Sequence, residues 1–427
     1  MSIVYIFRGI ILVFLFFIYI YAIHFSVLPF NCNIVLGGIS LFLFLFNCYK
    51  KQTIVVSKTF FLVLLSYFLI IIVSLISIIC NGTSDIWFIK YVFINITTLF
   101  AAGLIMRCLS KVYKDVSIEV FVRYFTLAVV LQMILSLFIY FSPDIMDVVR
   151  NILAYSKLAE STIDRTEGGR LIGFGTQFFD AGIVNCFTLI LIAFVLKKSR
   201  LKFTSICFYV ISFLLIFITG MMLARTTIIG FIIGCMILLY KSKLFRLVIS
   251  SRVITIGCSV IFFVTILVLI LVILPFEIWS QLSVIFDFGF ELLENLFLAG
   301  DVSTRSTDVM FKMYIFPDNT STWLIGDGYW SDPFQENIYY MSTDIGYCRM
   351  LFYFGVTGLV IDILSHFILL HQVYRKNTDC KILVIAFFVL FLVLNMKGIT
   401  SLAFLLFPFL FVNNLKYGLS VNVCKKF

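Results

Sequence analysis

Apolar residues in this chain come in runs long enough to cross a bilayer, and the runs do not alternate with period two. Over such lengths only a helix satisfies its own backbone in lipid, so each run predicts a membrane helix. A hydrocarbon core about 30 Å thick takes about 20 residues of helix. On that measure the sequence predicts twelve spans, near 7–25, 31–49, 59–80, 87–107, 121–142, 178–196, 203–219, 223–240, 253–274, 345–371, 382–396 and 399–415. The seventh and eighth are divided at Thr219-Gly220, because together they are too long for one crossing. The run after Arg8 lacks a small-x-small cleavage site and reads as the first span, not a removed leader.

Two stretches break the pattern. One, at 143–177, follows the fifth span; the other, at 275–344, follows the ninth. Both mix acids, aromatics and glycines. A connection as long as the second, rich in aromatic residues, suits a functional segment better than a disordered one. Its first part, from Glu277 to Leu298, reads as a helix lying along the membrane interface.

Composition agrees. Hydrophobic residues make up 62% of the 427 and charged residues 13%, against about 25% charged in soluble domains. Lipid must therefore be the solvent for much of the chain, and 1–427 reads as one all-α integral membrane domain. The net charge of +10 sits in short basic clusters between apolar runs. That placement fits topology signals and headgroup contacts, not nucleic-acid binding. With both termini in the cytoplasm, 22 of the 32 Lys and Arg fall in inner segments, whereas 18 of the 22 Asp and Glu fall in outer ones. Acidic residues contribute little to orientation. Their concentration between Asp144 and Asp180 and between Glu277 and Asp344 therefore marks the outer loops as the place for functional groups. The cysteines are scattered singly, with no CxxC pair and no disulfide framework.

Arginines dominate the candidate chemistry. The first loop carries Asp164-Arg165-Thr166-Glu167-Gly168-Gly169-Arg170, where glycines free the backbone and guanidinium forks suit phosphate oxygens. It is not a nucleotide-binding loop, since GxxxxGK[ST] is absent. Arg225 sits between the apolar runs Phe203–Thr219 and Ile228–Tyr240, near lipid depth, where an uncompensated charge costs about 2.5–3.5 kcal/mol and calls for a cavity, a partner or a route to water. The second loop adds Arg305 and Asp308, then Gly326-Asp327-Gly328, and ends at Asp344 and Arg349. Asp362 and His366 share a helix face inside the tenth span and read as a structural pair. No HExxH, GxSxG or Cys/His cluster occurs, so neither metal nor cofactor is expected.

Taken together these segments resemble the O-antigen polymerases (Wzy) of the bacterial polysaccharide polymerase/ligase superfamily. The resemblance covers the whole layout: twelve spans and two large outer loops. Locally it rests on Arg170-Leu-Ile-Gly173 leading to Asp180-Ala-Gly182, and on Thr219-Gly-Met-Met-Leu-Ala-Arg225. It rests further on Thr304-Arg305 with Gly326-Asp-Gly328, and on Asp344-Ile-Gly-Tyr-Cys-Arg349 followed by Gly355 and Gly358. The family's serine before the eighth-span arginine is Ala224 here, which removes one hydroxyl. The related ligases carry a histidine in the second outer loop, and this chain has none there.

The resemblance implies a GT-C-type, metal-independent glycosyltransferase of the bacterial inner membrane. Such an enzyme moves a glycan from undecaprenyl diphosphate to a lipid-linked repeat unit at the periplasmic face. It implies a chain-length regulator and a flippase of the same pathway as partners. Arg170, Arg225, Arg305 and Arg349 are then the expected ligands of the departing diphosphate, whose growing charge needs fixed cations. Asp344, Glu167 or Asp308 is expected to orient or deprotonate the acceptor hydroxyl. Trp279, Trp323, Tyr329 and Trp330 are expected either to stack on sugars or to anchor at the interface. A ligase and a transporter of polysaccharide or lipid-linked sugar are the alternatives.

Overall fold

The computed structural model describes residues 3–52, 57–113, 116–155, 157–166, 168–176, 178–198, 201–240, 251–273, 275–300, 304–335 and 338–411. Among them there is no strand, only three isolated bridge pairs. The first half runs through α1 (Ile3–Tyr21), α2 (Cys32–Lys51), α3 (Lys58–Asn81), α4 (Trp87–Val112), α5 (Ile118–Phe141), α6 (Pro143–Ile152), α7 (Lys157–Thr166), α8 (Phe178–Lys198) and α9 (Phe203–Leu223). The second runs through α10 (Thr227–Leu239), α11 (Ser251–Ile273), α12 (Phe276–Glu294), α13 (Arg305–Lys312), α14 (Thr320–Ile325), α15 (Gly346–Lys376), α16 (Lys381–Asn395) and α17 (Ala403–Leu406).

Among the described residues, eight helical segments are long and apolar enough to cross a membrane: α2, α3, α4, α5, α8, α9, α15, and α16 with the turn before it. Shorter apolar stretches at Ile6–Tyr21, Thr227–Leu239 and Ile254–Leu267 accompany them. The bundle turns apolar side chains outward as well as inward: Phe42, Phe46, Phe61, Phe68 and Ile79 are each more than half exposed. In water so continuous an apolar surface would drive association; in lipid it is the solvated face. The protein is thus an all-α polytopic membrane protein.

Its centre is α8, whose side chains from Ala181 to Leu196 are buried on every side. Lipid supplies no hydrophobic force between helices, so close packing through small residues must hold them together. A Cβ on Gly230 would stand 2.2 Å from the Cys186 Cα, which presses α10 against α8 backbone to backbone. Gly37 meets the Thr97 carbonyl in the same way and seats α2 on α4.

Two features depart from the expected spans. Helix α9 runs on through Gly220 to Leu223, and the turn falls at Ala224–Thr226, not at Thr219-Gly220. Gly220 is retained in the helix because it packs against Asn185 and Thr227, and its carbonyl accepts from the Thr227 hydroxyl at 3.0 Å. Where a twelfth span is expected from 399, the described residues form only α17 and a buried 3₁₀ turn, Phe407–Leu410.

Helix α15 is broken near its start. Phe354 and Gly355 leave helical geometry, Gly355 at φ +67° and ψ −170°, a region open essentially to glycine alone. Gly326, at φ +74° and ψ −176°, lies against the break, and a Cβ on either glycine would collide with the other's backbone neighbours at 2.4 Å. Two carbonyls beside the break take donors from outside the helix. Phe352 O accepts from Asp327 N at 2.6 Å, while Tyr353 O accepts from Gly328 N at 3.1 Å and from the Ser77 hydroxyl at 2.6 Å. The Gly326-Asp-Gly328 motif is therefore a clamp that docks the second long loop onto α15.

Candidate functional site

Three segments far apart in sequence meet at the end of the bundle where α8, α10 and α15 begin. The first loop comes in after α7, where the Leu171 N–H donates to the Met222 carbonyl at 3.2 Å. Leu171 and Ile172 are buried by that docking. This fixes Arg170 beside the turn that carries Arg225. Its guanidinium lies over the Phe178 ring, 3.0 Å from the centroid, and 5.7 Å from that of Phe288.

Arg225 is held from the second loop. Its Nε donates to the Phe288 carbonyl at 2.7 Å, Nη1 donates to the Ser306 hydroxyl at 3.3 Å, and it pairs with Glu291. Phe288 and Glu291 stand three residues apart on α12, so one helix face presents the ring, the carbonyl and the acid together. Lys397, in the connection after α16, completes the group by donating to Thr226 Oγ1 at 3.1 Å. Burial lowers the pKa of both cations. For Arg225, Glu291 opposes that shift, whereas for Lys397 the positive charges of Arg225 and Arg170 add to it.

Arg170, Arg225 and Lys397 line one chamber of about 830 Å³, together with Glu291 and Asp344. Three cations against two carboxylates, one of them already paired with Arg225, leave it net positive. That excess of positive charge favours an anionic ligand, because charge-assisted hydrogen bonds strengthen away from bulk water.

A second chamber, of about 1030 Å³, adjoins the first across Phe178, Phe179, Met313 and Asp344. Arg349 belongs to this one. Its guanidinium is sandwiched between the Trp330 and Tyr339 rings, 3.5 Å from each centroid, and Trp330 in turn stacks on Trp87 at 3.6 Å. Asp344 lies 3.8 Å from Nη1 of Arg349. Although 58% of the Asp344 side chain is open, that surface faces a recess in the protein. Burial there raises its pKa, and Arg349 and Lys397 oppose the rise. A third chamber, of about 450 Å³, adjoins the second across Trp87, Tyr155, Thr176, Asp180 and Ile399.

The residues expected from sequence thus divide. Arg170 and Arg225 share a chamber, with Asp344 in its wall; Arg349 reaches only the neighbouring chamber. Asp308 lies exposed on α13 and lines none of the three. Arg305 opens α13, but its side chain, like Glu167, lies outside the described residues. Of the four aromatics, Trp330 lines the second chamber with its faces covered by Trp87 and Arg349. Trp279 is exposed on α12, the Trp323 indole donates to Pro317 O, and Tyr329 packs on Tyr340. Lys397, Glu291 and Asp180 were not expected as site residues. The one signal for Lys397 was its place among the ten basic residues of outer segments. Asp362 and His366 form the expected buried pair at 3.6 Å, with His366 also bonded to the Ser401 hydroxyl at 3.2 Å.

No protein-family model matches the chain, and comparison with curated proteins and with solved structures likewise finds no match.

Proposed function

We propose that this protein is an oligosaccharide repeat-unit polymerase of a bacterial surface polysaccharide, O-antigen or capsule. In this reading it has the twelve-span layout and GT-C-type architecture of that class, sits in the inner membrane with both termini cytoplasmic, and opens its chambers to the periplasm. The single observation that carries the reading is the convergence of Arg170, Arg225 and Lys397 on one chamber beside a second, aromatic-walled one. A lipid diphosphate is the anion such a chamber suits at a membrane surface.

The donor glycan's anomeric carbon is attacked by a hydroxyl of the acceptor repeat unit. The hydroxyl loses its proton to a carboxylate, its oxygen bonds to the anomeric carbon, and the bond to the diphosphate breaks with the electron pair leaving on the phosphate oxygen. The cations stabilise that developing charge. Asp344, in the wall between the two chambers, is the proposed proton acceptor; Arg305, at the start of the helix whose Ser306 touches Arg225, is the proposed further cation.

The transporter reading would use the break in α15, since broken helices expose carbonyls to ions. Here the Phe352 and Tyr353 carbonyls are occupied by Asp327, Gly328 and Ser77, which favours the enzyme. The polymerase reading is tested in cells. Arg225→Ala and Arg305→Ala are expected to insert normally yet leave single repeat units on the surface in place of long chains. Full-length ladders on a polysaccharide gel from both variants would remove the arginines from the reaction.

A further inference from the structure

The third chamber differs in kind from the first. Among the described residues no lysine or arginine lines it. Its polar lining is mostly amides and hydroxyls, notably Tyr21, Asn31, Asn33, Tyr91 and Asn95, together with the His24 imidazole, which bonds to the Leu28 carbonyl at 3.1 Å, and the Asp180 carboxylate at its boundary with the second chamber. It lies among the end of α1 and the starts of α2, α4 and α8.

Two of these groups have no partner in the protein. Asn33 is 2% exposed; its amide nitrogen donates to Tyr19 O at 2.8 Å, and its Oδ1 meets no donor. The Tyr21 hydroxyl, on a side chain 5% exposed, is also without a partner. Leaving a buried polar group unpaired costs about 1–3 kcal/mol, so two on residues that line one chamber favour a ligand or water that supplies the missing bonds.

Charge decides which ligand. A phosphate or an acidic sugar here would meet Asp180 with no basic counter-charge from lysine or arginine. A polyol both donates and accepts, so it can satisfy a phenol, an amide oxygen and a carboxylate at once. We propose that this chamber is a subsite for one uncharged sugar unit of the glycan. Asn33, Tyr21 and Asp180 bind its hydroxyls, and the unit lies on the far side of the second chamber from the cations. The inference rests on the polymerase reading for the identity of the glycan, and deepens it by dividing the site into a charged end and a neutral end.

The test uses the full chain in lipid nanodiscs and two sets of probes. Glucose, galactose, rhamnose and N-acetylglucosamine, with glucuronate as the charged control, are followed by saturation-transfer NMR. Inorganic pyrophosphate is followed by calorimetry. At least one uncharged sugar is expected to bind and glucuronate is not. Thr98→Ile, which narrows the chamber, and Asn33→Leu should each weaken sugar binding at least about tenfold, the scale of one lost buried hydrogen bond. Arg225→Ala should leave sugar binding intact and weaken pyrophosphate binding.

Should Asn33→Leu fail to fold, Thr98→Ile decides, because the Thr98 hydroxyl bonds only within its own helix, to Ile94 O. The proposal is overturned if no uncharged sugar binds, if glucuronate binds as well, or if Thr98→Ile binds sugar like the parent. Pyrophosphate binding that survives Arg225→Ala would instead strike the diphosphate reading, leaving the sugar result to decide this one by itself.

Discussion

Arg225 and Arg349 look alike in sequence: each is an outer-segment arginine at the mouth of a span, and each suits a phosphate. The structure gives them different surroundings. Arg225 keeps 17% of its side chain open, is bonded to a carbonyl, a hydroxyl and an acid, and lines the cationic chamber with Arg170 and Lys397. Arg349 keeps 5%, has both faces covered by aromatic rings, and its Nε and Nη2 have no hydrogen-bond partner. A guanidinium is both a charged fork and a flat, weakly hydrated plate. At Arg225 the fork is in use; at Arg349 the plate is, as one layer of the Trp87–Trp330–Arg349–Tyr339 stack. The same side chain can therefore serve as a charged fork or as a flat plate, and its neighbours decide which.

The contrast is most exposed to failure at Arg225. Arg225→Ala is expected to slow elongation of lipid-linked repeat units by about 10²–10³-fold, the scale of losing one donor to a developing oxyanion, with membrane abundance unchanged. Arg225→Lys should remain poor, because the fork is lost. Arg349→Ala should act the other way round. Emptying the space between two rings should cost about 2–4 kcal/mol of stability, read as a lower melting temperature in detergent. Normal melting with abolished elongation would place Arg349 in the chemistry and dissolve the distinction.

Smaller effects concern the wall between the two arginines. Burial raises the Asp344 pKa, so as proton acceptor it would lose activity as pH falls through a value above the ordinary aspartate's of about 3.9. A rate profile whose acid limb is unmoved by Asp344→Asn would exclude that role. Lys397, with its pKa lowered, should lose its charge before an ordinary lysine does near about 10.4. Pyrophosphate affinity should then fall about tenfold with rising pH, the scale of one charge-assisted bond. Lys397→Arg should hold its affinity over the same range; parallel profiles for the two would remove Lys397 from the anion site.

What was legible and what was not follows the range of the forces involved. A helix is written locally, so α3, α5 and α8 lie close to the expected spans. Gly326 and Gly355 could be noticed in the sequence, but their purpose could not, because each is required by the other's backbone across the gap between loop and helix. The turn before Arg225 was displaced for a similar reason: Gly220 reads as a breaker until Asn185 and Thr227 are seen packing on it.

By itself, the sequence determined that this chain lives in lipid as a bundle of helices and that its acidic residues are gathered in the long connections. Both follow from solvation, which acts on each segment separately. Only the tertiary structure decided which arginines share a chamber, that Lys397 joins them, and that Asp308 does not. A charge's partners are set by distances of a few ångströms between segments as far apart as Arg170 and Lys397, and one chain read in order carries no direct record of those distances.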